Sequence, residues 1–319
     1  MRYSLDEMDT FLAVMELGTV TAAAARLNLS KSVVSKRISD LEANLGAALF
    51  LRNAGRITPT DTALRLAEGL RPALAGLRAA AEGAIVEARG STRLRGRLSI
   101  SVPMTLGRLY LGPILARFAQ AHPELDLLID YEDRARDLIH DRLDAAVRVG
   151  RMRDTALMSR KICEDRQIAC ASPDYIARHG APRDLADLRN HRTIGYSHVA
   201  DGRMWQPGNG ADRVNVPIAS RITANNGEAI RDFVLAGLGL GTMPGFICLP
   251  DIRAGRLVRV LPELDHRPLP IAVVWPPVNP MPMKLRALID CLLAELGGTP
   301  PWERSQNGDS DRFPFRPEK

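Results

Sequence analysis

Short polar and cationic side chains recur on one side of a predicted helix near the N-terminus. At about 100° per residue, Ser32, Lys36 and Ser39 point away from an apolar stripe, and Lys31 and Ser35 flank that stripe near the start of the helix. Hydroxyl and ammonium groups can hydrogen-bond to base edges and phosphates, so this face could bind a polyanion. The alternative is a solvated helix face that meets only water.

Three predicted helices hold this face in place. Residues 4–7 (SLDE) have the form of a capping box, which predicts a first helix over residues 5–17. Thr21 is predicted to cap a short second helix, and residues 28–30 are typical of a turn. The third helix then starts after Ser30 and ends before Gly46. Two helices joined by a tight turn, the second with a cationic outer face, match a helix-turn-helix.

A basic hairpin follows the third helix. Residues 48–58 (ALFLRNAGRIT) predict a two-stranded wing with a glycine turn, and Arg52 and Arg56 lie in it. The first 60 residues hold seven basic and six acidic side chains, yet six of the bases and only two of the acids lie between Arg26 and Arg56. This local excess of positive charge is the electrostatic footprint that nucleic-acid binding requires.

The composition sets limits on the whole chain. Its 319 residues predict two or three domains, and 45% hydrophobic with 25% charged residues is the composition of a soluble globular protein. The four cysteines lack a C-x-x-C pair and predict buried reduced thiols, with redox sensing as the alternative. The N-terminus lacks an apolar signal segment and the uncharged stretch 233–250 is interrupted by glycine and proline, so we expect a cytoplasmic protein without a membrane span.

A long helix is predicted after the wing. Thr58 is predicted to cap it, with Pro59 at its first position, and it runs to about Arg89. Apolar residues alternate at spacings of four and three along it, which is typical of a two-helix coiled coil and indicates dimerisation. The alternative is packing against the chain's own next domain, and the interior Pro72 costs about 3 kcal/mol or a kink. The seam comprises Ala63, Ala67, Leu70, Leu74, Leu77, Ala81 and Ala84.

Beyond residue 92 the pattern changes from helical spacing to alternation. Strands at 98–102, 125–130 and 144–149, separated by helical patterns at 107–121 and 134–141, predict βαβ units and a mostly parallel sheet. A second set is predicted to begin near Arg166. It comprises strands at 167–171 and 193–196, a helix at 228–236 and a strand around Leu240, after which a strand at 270–275 and a helix at 282–296 rejoin the first set.

Motifs for catalysis, cofactors or metals are not found. The glycine-rich stretch 237–245 follows a helix and precedes a strand, the reverse of the order in a dinucleotide site. The six histidines form neither H-E-x-x-H nor any i, i+4 pair, and there is no G-x-S-x-G or Walker motif. We therefore expect no cofactor, no metal and no enzymatic activity.

Several motifs resemble one family. Residues 11–21 (FLAVMELGTVT), 22–28 (AAAARLN), 30–46 (SKSVVSKRISDLEANLG) and 49–52 (LFLR) closely resemble the DNA-binding domain of LysR-type transcriptional regulators. The resemblance extends over about residues 4–296 through GRL at 96–98, CASP at 170–173, NGEA at 226–229 and GRL at 255–257. The chain departs from the family pattern at Lys31, where Gln is frequent, and at Thr60-Asp61, where Ala-Gly is usual.

The resemblance implies an α/β protein in four parts. An N-terminal winged helix-turn-helix (1–60) and a linker or dimerisation helix (61–92) precede an effector-binding domain (93–296) that resembles a bilobal periplasmic binding protein. Its two α/β subdomains are named here lobe I (93–165 and 269–296) and lobe II (166–268). Residues 297–319 are polar and rich in proline and glycine, and we expect a flexible tail.

The same resemblance implies partners and sites. The expected partners are a double-stranded DNA operator, a small-molecule effector, a homodimer or homotetramer and, as a further candidate, RNA polymerase. Helix N-termini and Arg148 predict that the effector is a carboxylate; a solute-binding protein or an enzyme on the same bilobal fold is the alternative. Candidate DNA-binding residues are Thr21, Lys31, Ser32, Ser35, Lys36, Arg37, Ser39, Arg52 and Arg56. Candidate effector-binding residues are Met104, Thr105, Tyr131, Asp133, Arg148, Gly150, Tyr196, Ser197, His198, Asn225 and Asn226.

Overall fold

The structure is a computed structural model in which the chain divides into two compact units. One unit contains residues 1–92 with 277–283, and the other contains residues 93–276 with 284–319. The structure describes residues 3–53, 56–89, 93–150, 156–198, 204–205, 216–218, 220–262 and 268–304. For residues 52, 53, 56, 79, 82–89 and 268 it describes the backbone alone.

The first unit is built around three short helices whose apolar faces meet. Phe11 from the first helix and Val34, Ile38 and Leu41 from the third are at most 3% exposed. The predicted apolar stripe of the third helix is thus confirmed, and its opposite face is exposed. The helices are α1 (Leu5–Leu17), α2 (Val20–Leu27) and α3 (Lys31–Leu45).

Side-chain caps fix where α1 and α2 begin. The predicted capping box of α1 is confirmed, because Ser4 Oγ accepts from Glu7 N at 3.1 Å and Ser4 N donates to Glu7 Oε2 at 3.0 Å. The predicted cap of α2 is wrong. Thr19 Oγ1 accepts from Ala22 N at 3.1 Å, so Thr21 lies within the first turn of the helix and is exposed.

The wing leads directly into the long helix. Antiparallel strands β1 (Phe50–Asn53) and β2 (Arg56–Pro59) confirm the predicted hairpin. The predicted cap at Thr58 is wrong, because Thr58 and Pro59 belong to β2. Helix α4 (Asp61–Arg89) is capped instead by Thr60, whose Oγ1 accepts from Ala63 N at 3.2 Å and donates to Ala48 O at 2.9 Å.

The predicted coiled-coil seam of α4 divides into a buried and an exposed part. Ala63 and Ala67 belong to the core of the first unit, so the start of the seam packs against the chain's own helices. Leu77 is 48% exposed and Ala81 is also exposed. Among the described side chains of the seam, a partner helix therefore has only these two fully exposed positions. The helix continues through Pro72.

A seven-stranded sheet organises the second unit. Its order is β11-β6-β13-β5-β3-β4, with β12 also paired to β6. β3 is parallel to both β4 and β5, and β13 rejoins this set, as predicted. The predicted mostly parallel sheet is wrong beyond β5, because β13 is antiparallel to β5 and β6, and β11 and β12 are antiparallel to β6. The strands of this unit are β3 (Gly96–Val102), β4 (Leu125–Tyr131), β5 (Ala145–Val149), β6 (Met158–Ala171), β7 (Thr193–Tyr196), β8 (Met204–Trp205), β9 (Val216–Pro217), β10 (Ser220–Ala224), β11 (Gly241–Pro244), β12 (Val258–Arg259) and β13 (Pro268–Trp275).

Strand β6 passes from one group of elements to the other. It pairs with β13 as far as Arg166 and with β11 from Gln167 onward. This exchange of partners coincides with the sequence-based boundary between lobes I and II. The sequence predicts only residues 167–171 as a strand, because the preceding residues 158–161 are exposed and lack a clear apolar alternation.

The helices of the second unit largely follow the sequence. The predicted helix 134–141 is wrong: Asp137 Oδ1 accepts from Ile139 N and His140 N, both at 3.0 Å, and holds a turn there. The predicted helix 107–121 begins earlier, at Met104, and contains a π-helical turn at Gly107–Leu111. The helices are α5 (Met104–Leu106), α6 (Gly112–Ala121), α7 (Pro173–His179), α8 (Gly227–Leu235), α9 (Gly245–Arg253) and α10 (Met283–Leu296).

The segment after α10 differs from the predicted flexible tail. Trp302 is only 2% exposed, and Glu303 forms an ion pair with Arg166. The prediction is therefore wrong for residues 297–304, because a buried indole and a salt bridge outweigh the polar composition of this stretch. Residues 305–319 lie outside the described residues.

Three of the four thiols and the glycine-rich stretch agree with the predictions, whereas Cys291 is only half-buried. Cys163, Cys170 and Cys248 are buried free thiols, and burial raises the pKa of Cys163 to about 12. The stretch 233–250 is divided among α8, β11 and α9. No helix in the described part of the chain is both long and apolar enough to span a membrane.

Candidate functional site

The outer face of α3 carries the candidate groups for contact with a polyanion. The helix begins after Ser30, whose Oγ accepts from Val33 N at 3.3 Å. Because its apolar stripe is buried in the core of the first unit, the opposite face is fixed in an exposed position. Lys31, Ser32, Lys36 and Ser39 are exposed and Ser35 is half-buried.

The two lysines of this face carry charge that the protein does not neutralise. Neither Lys31 nor Lys36 has an ion pair or a side-chain hydrogen bond within the described residues. Ser32 lies one turn before Lys36, and its hydroxyl is 2.8 Å from that of Ser30. An ammonium group beside a hydroxyl at the start of an exposed helix can contact base edges or phosphates.

Unlike Lys31 and Lys36, Arg37 is paired with side chains of the protein. Its Nη2 is 2.6 Å from Asp6 Oδ2 and its Nη1 donates to Thr10 Oγ1 at 3.3 Å, both on α1. Arg37 therefore joins α3 to α1, and its assignment to the DNA-binding face stays a prediction. Thr21 is exposed on α2, away from the capping position.

The wing is held by a residue that the sequence analysis did not single out. Glu42 Oε1 accepts from Leu49 N at 2.8 Å and from Phe50 N at 3.1 Å, which fixes the start of β1 against α3. The sequence carries no signal for this contact, because a side chain meets backbone groups seven and eight residues later. Arg52 and Arg56 lie in β1 and β2, and their side chains are outside the described part.

A buried hydroxyl marks the candidate ligand cleft of the second unit. Thr105 is 3% exposed, and its Oγ1 has no hydrogen-bond partner in the described part of the chain. Its neighbour is the start of α8: a Cβ added to Gly227 would lie 4.0 Å from Thr105 Oγ1 and 2.4 Å from the side chain of Ile247. The absence of a side chain at Gly227 therefore lets the start of α8 pack closely against Ile247 and beside Thr105.

Asp133 links the groups around Thr105. Its Oδ1 accepts from Met104 N at 2.9 Å. Burial raises the pKa of Asp133, while the Met104 N–H, the nearby His198 and a hydrogen bond with Asn226 act in the opposite direction. Burial, with Asp133 nearby, also raises the pKa of Tyr196, whose ring lies 5.2 Å from that of His198. These residues therefore form one cluster.

Both helix ends in this cluster are already capped. Asn226 Oδ1 accepts from Glu228 N at 2.9 Å and from Ala229 N at 3.0 Å, and Met104 N is bonded to Asp133. Three of the backbone N–H groups at these helix ends, those of Met104, Glu228 and Ala229, thus already bond to protein groups.

Other candidate effector-binding residues make contacts that do not involve Thr105 or Asp133. Arg148 Nη2 donates to Arg136 O at 2.5 Å, on the face of β5 that also carries the buried Ala146. The ring of Tyr131 packs against Gly107, and Gly150 N donates to Pro270 O at 2.8 Å. Ser197 N donates to Ala224 O at 2.9 Å, and Asn225 is exposed. The structure thus does not join Arg148 to Thr105.

A different arginine lies beside the cluster. Arg108 follows Thr105 by one turn, and its guanidinium forms a two-point ion pair with Glu228, with Nε 3.1 Å from Oε2. This hydrogen bond raises the pKa of Arg108, whose side chain is 62% exposed. Thr105 and Arg108 therefore both face the first turn of α8. Among the described residues, no group of three His, Cys, Asp or Glu side chains could hold a metal ion.

Comparisons with known proteins agree with this division into two functional units. The model of the bacterial regulatory helix-turn-helix protein, lysR family, matches residues 5–64, and that of the LysR substrate binding domain matches residues 91–297. The HTH-type transcriptional regulator PtxR of Pseudomonas aeruginosa is 33% identical over 300 residues, covering 93% of this chain and 94% of that protein. DmlR of Escherichia coli is 31% identical over 266 residues, 81% of this chain and 84% of that protein.

A solved structure shows the same architecture. CrgA from Neisseria meningitidis, a LysR-type transcriptional regulator, has a TM-score of 0.58 and 27% identity, covering 92% of this chain and 99% of that one. The similar proteins named here are transcriptional regulators and not enzymes, which agrees with the expectation that this chain has no enzymatic activity.

Proposed function

Because the chain belongs to the LysR family of bacterial transcriptional regulators, we propose that it reads an operator through the outer face of α3 and the wing. The observation that carries this proposal is the exposed, unneutralised charge of Lys31 and Lys36 beside Ser32. Lys36 and Ser32 contact base edges, whereas Arg52 and Arg56 contact phosphates or the minor groove. Binding to chromosomal DNA would place the protein in the cytoplasm, where RNA polymerase is a further partner.

Two substitutions distinguish base contacts from phosphate contacts. Lys36→Ala should weaken binding to the specific operator by about 1–3 kcal/mol, whereas Arg56→Ala should weaken all duplexes alike and reduce the salt dependence. The operator is first identified by sequencing the genomic DNA that co-purifies with the protein. Asp40→Ala, an exposed change on the same helix, is the control. Unchanged operator affinity and preference in Lys36→Ala at fixed salt would contradict the assignment.

The proposed regulator acts as a homodimer or homotetramer on an inverted repeat. The exposed Leu77 and Ala81 on α4 provide the surface for a second copy of this helix. Light scattering at micromolar concentration should give at least a dimer. A monomer that still binds the operator with full affinity would rule the dimer out.

The effector is a small organic acid bound in the cleft at Thr105. The unpartnered hydroxyl of Thr105 supplies a hydrogen bond, and Arg108 supplies the charge that the sequence analysis assigned to Arg148. A carboxylate would bind Arg108 in competition with Glu228, and charge-assisted hydrogen bonds contribute about 1.5–3 kcal/mol each. Such a ligand shifts the DNA-bound state through its different affinities for the two arrangements of the lobes.

Thermal unfolding with a panel of ligands tests the nature of the effector. A metabolic or aromatic acid should raise the Tm of the wild type but not of Thr105→Val or Arg108→Ala. Arg117→Ala is the matched control, because Arg117 is also exposed and paired, at 2.8 Å, with Glu295. Stabilisation by neutral or cationic compounds alone would exclude the carboxylate and leave the cleft in place.

A further inference from the structure

The segment that follows α10 forms a compact turn beyond the end of the matched family domain. The LysR substrate binding domain match ends at residue 297, and Gly298 has a φ of 74°, a left-handed conformation suited to glycine. Glu303 N then donates to Pro300 O at 2.9 Å, and Arg304 Nε donates to Thr299 O at 2.9 Å. The segment Thr299–Arg304 is thus a structured element of this chain that the family match does not account for.

Trp302 contacts elements from both sequence-defined lobes. Its ring centroid lies 4.7 Å from that of Tyr110, in the π-helical turn of lobe I, and 5.7 Å from that of Phe246, in the first turn of α9 of lobe II. Both pairs are edge-to-face, with interplanar angles of 64° and 68°. Because Trp302 is 2% exposed, one indole fills the space between the two lobes at this point.

Polar contacts of the segment lie on the lobe II side. Arg253 Nη2, at the end of α9, donates to Trp302 O at 2.7 Å. Arg166, where β6 changes partners, forms a two-point ion pair with Glu303, with Nε 3.0 Å from Oε1. Since α10 belongs to lobe I, the segment carries the chain from lobe I onto lobe II.

A buried carboxylate completes the junction. Asp165 is 3% exposed, and its Oδ2 accepts from Phe246 N at 3.1 Å at the start of α9. Asp165 Oδ1 and Trp302 Nε1 are both buried, and neither has an aligned hydrogen-bond partner in the part of the chain that the structure describes. An acceptor and a donor are thus left together at the point where β6 passes between the lobes.

We propose that Thr299–Arg304 is a built-in clasp that couples lobe I to lobe II, with Trp302 as its anchor. The clasp restricts the movement of one lobe relative to the other and thereby sets how far the domain responds to a ligand in the cleft. The clasp is inferred from the contacts of Trp302 and Glu303, which add to a direct hydrogen bond between the lobes from Tyr110 Oη to Phe246 O at 3.3 Å. Its effect on operator binding rests on the proposed function.

Amide hydrogen exchange of the full chain, read by mass spectrometry, tests the clasp. Trp302→Ala should accelerate exchange by about tenfold or more both around Tyr110 and in the first turn of α9. Trp205→Ala is the matched control, because Trp205 is also buried but belongs to a core cluster of lobe II. It should accelerate exchange in lobe II only. Acceleration in Trp302→Ala that is confined to residues 297–304, or to one lobe, overturns the proposal.

Two further measurements keep the test decisive if Trp302→Ala folds poorly. Glu303→Gln retains the indole and removes the ion pair to Arg166, so it should accelerate exchange at the same two places by a smaller factor. Indole at on the order of 1 mM, added to Trp302→Ala, should restore protection in both lobes by filling the vacated space. Indole that restores protection in only one lobe, or a Glu303→Gln pattern confined to the segment, counts against the clasp.

Operator affinity separates the clasp from the proposed function. Trp302→Ala should change the affinity for the operator without effector by severalfold relative to Trp205→Ala. If no genomic DNA co-purifies with the wild type, the proposed function is contradicted, and the exchange result remains valid. Simultaneous acceleration in both lobes supports the clasp, and its absence in a folded Trp302→Ala protein refutes it.

Discussion

The unpaired polar groups of the first unit are exposed, whereas the unpaired hydroxyl beside the cleft of the second unit is buried. In the first unit the unneutralised groups are exposed ammonium groups such as that of Lys36 on α3. In the second unit the unpaired group beside the candidate cleft is the buried hydroxyl of Thr105, while the exposed charges next to it, Arg108 and Glu228, neutralise each other. A polyanion meets the first unit from outside, whereas a small molecule must enter the second to reach the unpaired group.

This difference explains why one site is easier to recognise than the other. Exposed cations on a helix follow from helical periodicity, since the buried stripe defines the opposite face. A cleft is assembled from separate segments, so each polar group can find a partner within the protein before any ligand does. Arg148 shows the consequence, because its guanidinium is bonded to the Arg136 carbonyl.

The largest effect on the first unit is expected at Glu42. Glu42→Ala removes the acceptor of Leu49 N and Phe50 N and should lower the free energy of unfolding of this unit by about 3 kcal/mol. Operator affinity should fall with it, because the wing loses its anchor. Denaturant unfolding and DNA titration measure the two effects. Glu42→Gln keeps an acceptor and should recover most of the stability, and equal losses in both variants would show that the contact does not hold the wing.

In the second unit Asp165 also accepts a backbone hydrogen bond through its carboxylate, but unlike Glu42 it is fully buried. Burial raises its pKa from 3.8 to about 6, and Glu303 adds to this, while the backbone N–H groups of Arg166 and Phe246 and the nearby indole N–H of Trp302 lower it. The native state then binds more protons than the unfolded state between these values, so stability falls as the pH rises through this range.

Asp165→Asn should remove this part of the pH dependence. The free energy of unfolding of the wild type should fall by about 1.4 kcal/mol between pH 5 and pH 8 relative to Asp165→Asn, as a pKa of about 6 in the native state requires. Chemical unfolding at both pH values gives the difference. Glu303→Gln, which removes a neighbouring negative charge, should reduce the slope, and parallel curves for wild type and Asp165→Asn would exclude a raised pKa.

The sequence predicts the helices and strands of both units well where the spacing of apolar residues and the side-chain caps act locally. The limits of α1, the stripe of α3 and the wing follow from the capping box at Ser4, the spacing of apolar residues and a glycine turn. The parallel pairing of β3 with β4 and β5 follows from the βαβ pattern. The return of β13 follows from the pattern of strands and helices, and the resemblance to a family added the cleft.

Two sequence-based predictions are wrong for different reasons: in one a local side-chain contact replaces the helix, and in the other a partner distant in the sequence orders the segment. Residues 134–141 have a helical pattern, yet Asp137 caps a turn there. Residues 297–304 have the composition of a tail, yet Trp302 finds an aromatic site formed by Tyr110 and Phe246. Neither local propensity nor composition contains the position of a partner far away in the sequence.

The unpaired hydroxyl itself provides a sharper test of the comparison. Thr105→Val removes a buried polar group without a hydrogen bond and should raise the free energy of unfolding by about 1 kcal/mol in the absence of ligand. Thr193→Val is the matched control, since Thr193 is equally buried but its hydroxyl is 3.3 Å from that of Ser220. It should lower stability by a similar amount. A loss of stability in both variants would mean that Thr105 is satisfied in solution and is not reserved for a ligand.

The smallest expected effect concerns the exposed charges beside the cleft. The pair Arg108–Glu228 is 62% and 24% exposed, so its coupling energy in a double-mutant cycle with Arg108→Ala and Glu228→Gln should be about 0.5 kcal/mol and decrease with salt. The pair Arg117–Glu295 has a similar exposure, 54% and 41%, and should give a similar value. A carboxylate effector that takes Arg108 from Glu228 would abolish the first coupling and leave the second unchanged. If both couplings persist at saturating effector, a group other than Arg108 binds the charge of the ligand. Arg108–Glu228 is then a structural pair, like the polar contacts that join α1 to α3 in the first unit.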